Sequence, residues 1–178
     1  MKIENIKNIT ENPFWLSKTL PYFFEGYGKE KLDVNVMYLI LPFILTKSIR
    51  NGILFSANSS STFDSLFYAP ASKAKNKKDK IFETYNESLM NKTSLVVIEE
   101  KYHNYKELMN KVLLIAYNGG CFSIKNAKII PLKMYDYTKT KDTEDFLFDY
   151  YKCMRNLGVV FGKESISNLY RKCQISRI

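Results

Sequence analysis

Apolar residues along this chain recur mostly at three- and four-residue intervals, the period of helices that lie on a core. The first such segment is NPFWLSKTLPYFFEGY, residues Asn12 to Tyr27, where Trp15, Leu16, Leu20, Phe23, Phe24 and Tyr27 share one wide face. Asn12 can accept from the free amides of a first helical turn, and Pro13 sits where a missing N–H costs nothing. Gly26 is expected to stop the helix in the left-handed region. A face this broad must be covered by the rest of the chain or by a partner. Phe14, Trp15, Phe23 and Tyr27 are therefore candidate interface residues.

The second apolar segment, VNVMYLILPFILTKS, follows Asp33 as a cap and is interrupted by Pro42, which predicts a kink or two short helices. Ser48 to Leu54 reads as a further short turn. Thr62 or Ser61 caps an amphipathic piece from Phe63 to Tyr68 that Pro70 ends. Ile81, Phe82, Tyr85 and Leu89 predict a helix within 79–90, and Leu95 to Ile98 fits strand or helix, with helix preferred. Over Tyr105 to Tyr117, Leu108, Val112, Ile115 and Ala116 form one helical face that Leu113 and Leu114 widen, before Asn118-Gly119-Gly120 stops it. A hairpin is predicted next: Cys121, Phe122 and Ile124 lead out, Lys125-Asn126-Ala127 turns, and Ile129, Ile130 and Leu132 return. Helix, stop and hairpin together make a winged-helix-like arrangement.

After a polar link from Tyr137 to Lys141, Asp142 or Thr143 caps a helix from Glu144 to about Phe161, with Phe146, Leu147, Tyr150, Met154 and Leu157 on one face. Gly158 and Gly162 permit close helix contact or a turn, and Glu164 to Cys173 forms a last short helix. The predicted fold class is mainly α with a small β-hairpin, one compact helical domain over residues 1–178. Its parts are N-terminal helices at 12–68, a basic loop at 70–80, a winged-helix-like part at 81–134 and C-terminal helices at 142–173.

Composition adds mostly exclusions. At 46% hydrophobic and 15% aromatic residues, the 178-residue chain is too apolar for general disorder. Its longest apolar run, Val34 to Leu45, falls short of the ~20 residues that cross a bilayer. The opening MKIENIKNIT lacks a secretory h-region, so a cytoplasmic setting and no membrane partner are expected. Cys121, Cys153 and Cys173 are widely spaced and form no CxxC pair, and His103 is the single histidine, which leaves no recognisable zinc set. Neither GxxxxGK[ST] nor GxGxxG occurs. Asp142, Glu144, Asp145 and Asp149 read as first-turn carboxylates favoured by a helix dipole rather than as a metal cluster. No catalytic, cofactor-binding or metal-ligating residue is assigned, and no cofactor is expected.

The formal net charge of +9 invites a nucleic-acid reading, but only four arginines are present among the 27 basic residues. Lys73, Lys75, Lys77, Lys78 and Lys80 form one dense cluster, and Lys125 and Lys128 flank the predicted hairpin turn. These seven lysines are the candidate DNA-proximal residues. The helix before the hairpin offers only Lys106, Asn110 and Lys111 on its polar face, thin equipment for base readout. Protein docking is thus placed ahead of DNA reading for the winged part.

Three blocks in order resemble a known family. They are NPFWLSKTLPYFFEGY with its Asn-Pro opening and Gly-Tyr close, VMYLILPFILTKSIRNGI from Val36 to Ile53, and MRNLGVVFGKESISNLYRKCQI with Leu157-Gly158 and Phe161. Together they are similar to the middle component of bacterial ABC-three-component systems, and within it to the subunit of Lamassu-type anti-phage defence. The stretches at Lys73 to Lys80 and Thr93 to His103 look longer than that pattern. The resemblance implies a non-enzymatic subunit encoded between an effector, often a nuclease, and a coiled-coil ABC ATPase of the SMC or Rad50 type. It implies a bridge that holds the effector inactive until foreign DNA is engaged, with DNA reached through the complex. The alternative is a winged-helix transcriptional regulator that contacts duplex DNA through Lys125, Lys128 and the lysine loop.

Overall fold

The computed structural model describes residues 11–67, 92–139 and 145–175. The lysine loop at 70–80, the helix predicted within 79–90 and the caps expected of Asp142 and Thr143 lie outside the described residues. The described chain is mainly helical with one small antiparallel sheet, as the apolar periodicity predicts.

Helix α1 (Pro13–Tyr27) begins as expected: the Asn12 side chain accepts from the amides of Phe14 at 2.9 Å and Trp15 at 3.3 Å. Its end corrects the sequence reading. The helix runs through Gly26, and Gly28 is the left-handed residue, at φ 65, its amide donating to the Phe24 carbonyl. Two polar residues on the buried side are satisfied within the helix, since the Ser17 hydroxyl donates to the Phe14 carbonyl and that of Thr19 to the Leu16 carbonyl, both at 2.7 Å.

Strand β1 (Leu32–Asp33) leads directly into α2 (Val34–Tyr38), capped by the Asp33 carboxylate on the Asn35 amide at 3.0 Å. The apolar run then breaks at Leu39 into α3 (Ile40–Leu45), so Pro42 falls in a first helical turn, where it forfeits no hydrogen bond. Helix α4 (Lys47–Ser56) is ten residues long, not the short turn read from the sequence. Its far end is held by the Asn156 amide, which donates to the carbonyls of Ile53 and Ala57 at 3.3 Å each. Among the described residues no single helix is long and apolar enough to cross a membrane; the bent pair formed by Val34–Leu45 and Lys47–Leu54 turns through 96° and supplies core side chains.

Helix α5 (Phe63–Phe67) starts with the Thr62 hydroxyl accepting the Ser65 amide. The pair α6 (Lys92–Asn104) and α7 (Lys106–Asn118) follows, then β2 (Phe122–Lys125) and β3 (Lys128–Pro131). The hairpin turn places Asn126 and Ala127 at φ 53 and 56, the two successive left-handed residues that match the twist of a tight hairpin. Strand β1 pairs with β3, Leu32 opposite Ile129 and Asp33 opposite Lys128, giving a three-stranded sheet in the order β1-β3-β2.

After a 3₁₀ turn (Tyr137–Lys139) come α8 (Asp145–Gly162) and α9 (Ile166–Lys172). Lys172 joins α9 to α5 and to the preceding turn, its ammonium 2.8 Å from Asp64 and 2.7 Å from Glu164. The principal helix contact is α1 on α8. A Cβ on Gly26 would stand 1.9 Å from the Arg155 carbonyl oxygen, and one on Gly162 would stand 2.5 Å from that of Tyr27. Backbones this close allow only glycine, which is the tertiary reason for the Gly26 that the sequence presents as a helix stop. Phe161 meets Phe23 and Phe43 edge-to-face at 6.1 and 5.3 Å, and Tyr22 stacks on Tyr151 at 4.2 Å. Arg155 pairs with Glu25 at 3.0 Å along the rim.

Candidate interaction surface

Helix α7 is apolar on more sides than one neighbour can cover. Met109, Val112 and Ala116 point inward and are buried, while Leu114 and Tyr117 stand 61% and 50% exposed on the opposite flank. Ile124 on the edge strand β2 is 55% exposed beside them. With Leu113, Val34 and Tyr38 they line a shallow groove of about 310 Å³ whose walls include no charged side chain among the described residues. The Tyr38 hydroxyl donates to Asn110 at 2.7 Å across its rim.

A larger trough of about 660 Å³ lies on the other side of α7. One wall is a stripe of α1 formed by Phe14, Lys18, Pro21 and Tyr22; the other is the end of α7 at Ile115 and Asn118, with Lys133 and Tyr135 from the segment after β3. Phe14, Leu132, Met134 and Tyr135 are between 45% and 61% exposed. The large hydrophobic side chains left exposed among the described residues thus fall at Phe14 and within 114–135. Exposed apolar residues gathered so closely, unlike ones scattered singly, mark an interaction face.

The residues singled out by the sequence are distributed unequally over this face. Phe14 is exposed, with the Lys18 ammonium 4.5 Å from its ring centre. Trp15 is half-buried, edge-on to Tyr150 at 4.7 Å. Phe23 and Tyr27 are buried by α8, so that part of the aromatic face is covered from within the chain. Lys125 is exposed at the hairpin corner and lies opposite Lys128 in the strand register. Lys128 is paired with Asp33 at 2.7 Å. Partial burial works against charge on Asp33, but the hydrogen bonds from Lys128 and the Asn35 amide outweigh it and hold the carboxyl below its ordinary range. Lys73, Lys75, Lys77, Lys78 and Lys80 lie outside the described residues.

No reactive centre emerges from the described residues. His103 faces solvent from α6, and no group of three His, Cys, Asp or Glu side chains converges as a metal set among them. Cys153 is fully buried, which pushes its thiol up to about 12, and burial raises Cys173 as well. The exposed residues Leu114, Tyr117, Ile124, Leu132, Met134 and Tyr135 are the ones that sequence reasoning did not select. For Leu114 and Tyr117 the signal is the excess width of the apolar stripe on α7, where Leu113 and Leu114 extend a face already complete; the residues beyond α7 carry no such signal.

A protein-family model described as ABC-three component (ABC-3C) system Middle Component 3 matches residues 1–176. No curated protein and no solved structure matches the chain.

Proposed function

This chain belongs to the Middle Component 3 family of ABC-three component systems, and from that premise we propose that it is the non-enzymatic bridging subunit of a Lamassu-type bacterial defence complex. It links an SMC- or Rad50-like ABC ATPase to an effector, with nuclease chemistry residing in the latter, and keeps the effector inactive until foreign DNA is engaged. The observation that carries the bridging role is the gathering of exposed apolar residues at Phe14 and across 114–135. Leaving such a face in water costs roughly 25 cal/mol per Å², a cost removed when a partner covers it. Co-expression with the neighbouring genes and purification through a tag on this chain tests the reading. Recovery of a stable complex with both neighbours is expected; recovery of this chain alone as a well-behaved monomer overturns it.

A second reading, a winged-helix regulator that binds duplex DNA, is favoured by one observation. The sheet order β1-β3-β2, with α7 leading into the hairpin, is similar to that of a winged helix and supports this reading. The chemistry of the face argues against it, because Leu114, Tyr117 and Ile124 stand where such a domain needs donors for bases and phosphates. The lysines at 73–80, with Lys125, are the groups that would approach DNA within the assembled complex.

A further inference from the structure

The trough between α1 and α7 differs from the groove on the other flank of α7 in carrying charge, and that charge has one sign. Lys18 and Lys133 line it, and among the described residues no carboxylate does. Lys18 holds its ammonium 4.5 Å from the exposed ring of Phe14, so a positive group and an apolar group are presented side by side. Lys133 donates to the Gly119 carbonyl at 2.6 Å, which anchors the second cation at the end of α7. Asp136 is the carboxylate that lines the neighbouring hollow, which shares Tyr22 and Tyr135 with the trough. It accepts from the amide and hydroxyl of Thr138 at 3.0 and 2.7 Å and lies 3.8 Å from Lys139, so its charge is compensated locally.

We infer that this trough is the seat for an amphipathic helix of a partner subunit whose apolar face is bordered by carboxylates. Three features select that occupant. The trough is lined by the flanks of two helices, the kind of surface on which a third helix lays its apolar side chains. Phe14 and Tyr135 supply the exposed apolar contact, and the cations on the rim attract carboxylates that steer approach and fix register. A second copy of this chain would bring a further net charge of +9 toward the same lysines, which disfavours self-association. Nucleic acid would leave the aromatic walls uncovered unless its bases were unstacked.

The inference rests on the bridging reading and names the chemistry of the partner at one site. The test uses the complex co-expressed with the neighbouring subunits, with Tyr135 replaced by the photo-cross-linking residue benzoylphenylalanine. A cross-link to a partner segment with apolar residues at helical spacing and flanking Asp or Glu is expected. In the same complex Lys18→Glu, at an exposed position, is expected to weaken association at least tenfold at low salt and to flatten its salt dependence. A cross-link to a second copy of this chain, to a segment flanked by basic residues, or to none in an assembled complex overturns this inference alone. So does a Lys18→Glu complex of unchanged affinity. Failure of any complex to assemble overturns the bridging reading, and this inference with it.

Discussion

Gly158 of α8 meets the carbonyl oxygen of Phe23 in α1 so closely that a Cβ on it would stand 2.3 Å away. Both atoms of the contact belong to regular helices, so neither can yield by rotating a side chain. Gly158→Ala is therefore expected to destabilise the protein at or above the upper end of the ~1–3 kcal/mol typical of overpacking. Chemical denaturation checks the value. Gly120→Ala is the comparison: nothing lies within 4 Å there, but its φ is +65, so a loss of only about 1–2 kcal/mol from the left-handed conformation is expected.

The hairpin turn invites the opposite change. Ala127 sits at φ 56, where an L side chain is disfavoured, so Ala127→Gly relieves strain while adding freedom to the unfolded chain. A net stabilisation of up to about 1 kcal/mol is expected. An unchanged or lowered melting temperature would show that the turn is held by contacts that outweigh its backbone preference.

Leu114 and Ile124 separate folding from docking. Both are more than half exposed, so the double variant Leu114→Ser, Ile124→Ser is expected to change stability by no more than about 0.5 kcal/mol per site. Recovery of partner subunits in co-purification is expected to fall at least tenfold. A large drop in stability, or full recovery of the complex, would remove this flank of α7 from the proposed interface.

The pairing of Asp33 with Lys128 sets a pH dependence of definite sign. The Asp33 carboxyl is lowered in the folded state from an ordinary value of 3.8, so its contribution is complete at neutral pH and is lost as pH falls below that value toward the folded one. Asp33→Asn is expected to lower stability at pH 7 and to converge on the wild type in acid. Denaturation at pH 7 and pH 3 distinguishes this from a pH-independent loss of the α2 cap.

Thiol labelling reads the core directly. At pH 8 a disulfide reagent is expected to modify Cys121, which is partly exposed, well before Cys153 and Cys173, which are buried with raised pKa values. Fast modification of all three in native buffer would mean that α8 and α9 open readily.

How much of this is legible in the sequence depends on whether the cause is local. The Asn12-Pro13 start of α1, the break at Leu39 that leaves Pro42 in a first helical turn and the hairpin at 122–131 follow from caps, a missing donor and turn residues within a few positions. Strand β1 is two residues long and too short to show any period; it exists because β3, almost a hundred positions later, pairs with it. Gly26 shows the same limit from another side. Near a helix end a glycine reads as a stop, and only the approach of Arg155 reveals that the residue is small for packing. For the candidate surface, the width of the α7 stripe was visible, but Phe23 and Leu114 look alike in one dimension. Whether the chain itself covers them is decided by α8 and by the hairpin.

The reach of the α1 and α8 contact also has a consequence in time. Glu25 and its partner Arg155 are separated by 130 positions, so a ribosome adding about 5–20 residues per second needs on the order of ten seconds to supply the second helix after the first. Throughout that interval Phe23 and Tyr27 have no α8 to lie against. Apolar surface on α1 is thus uncovered by α8 for that time, and slower translation between the two helices lengthens its exposure.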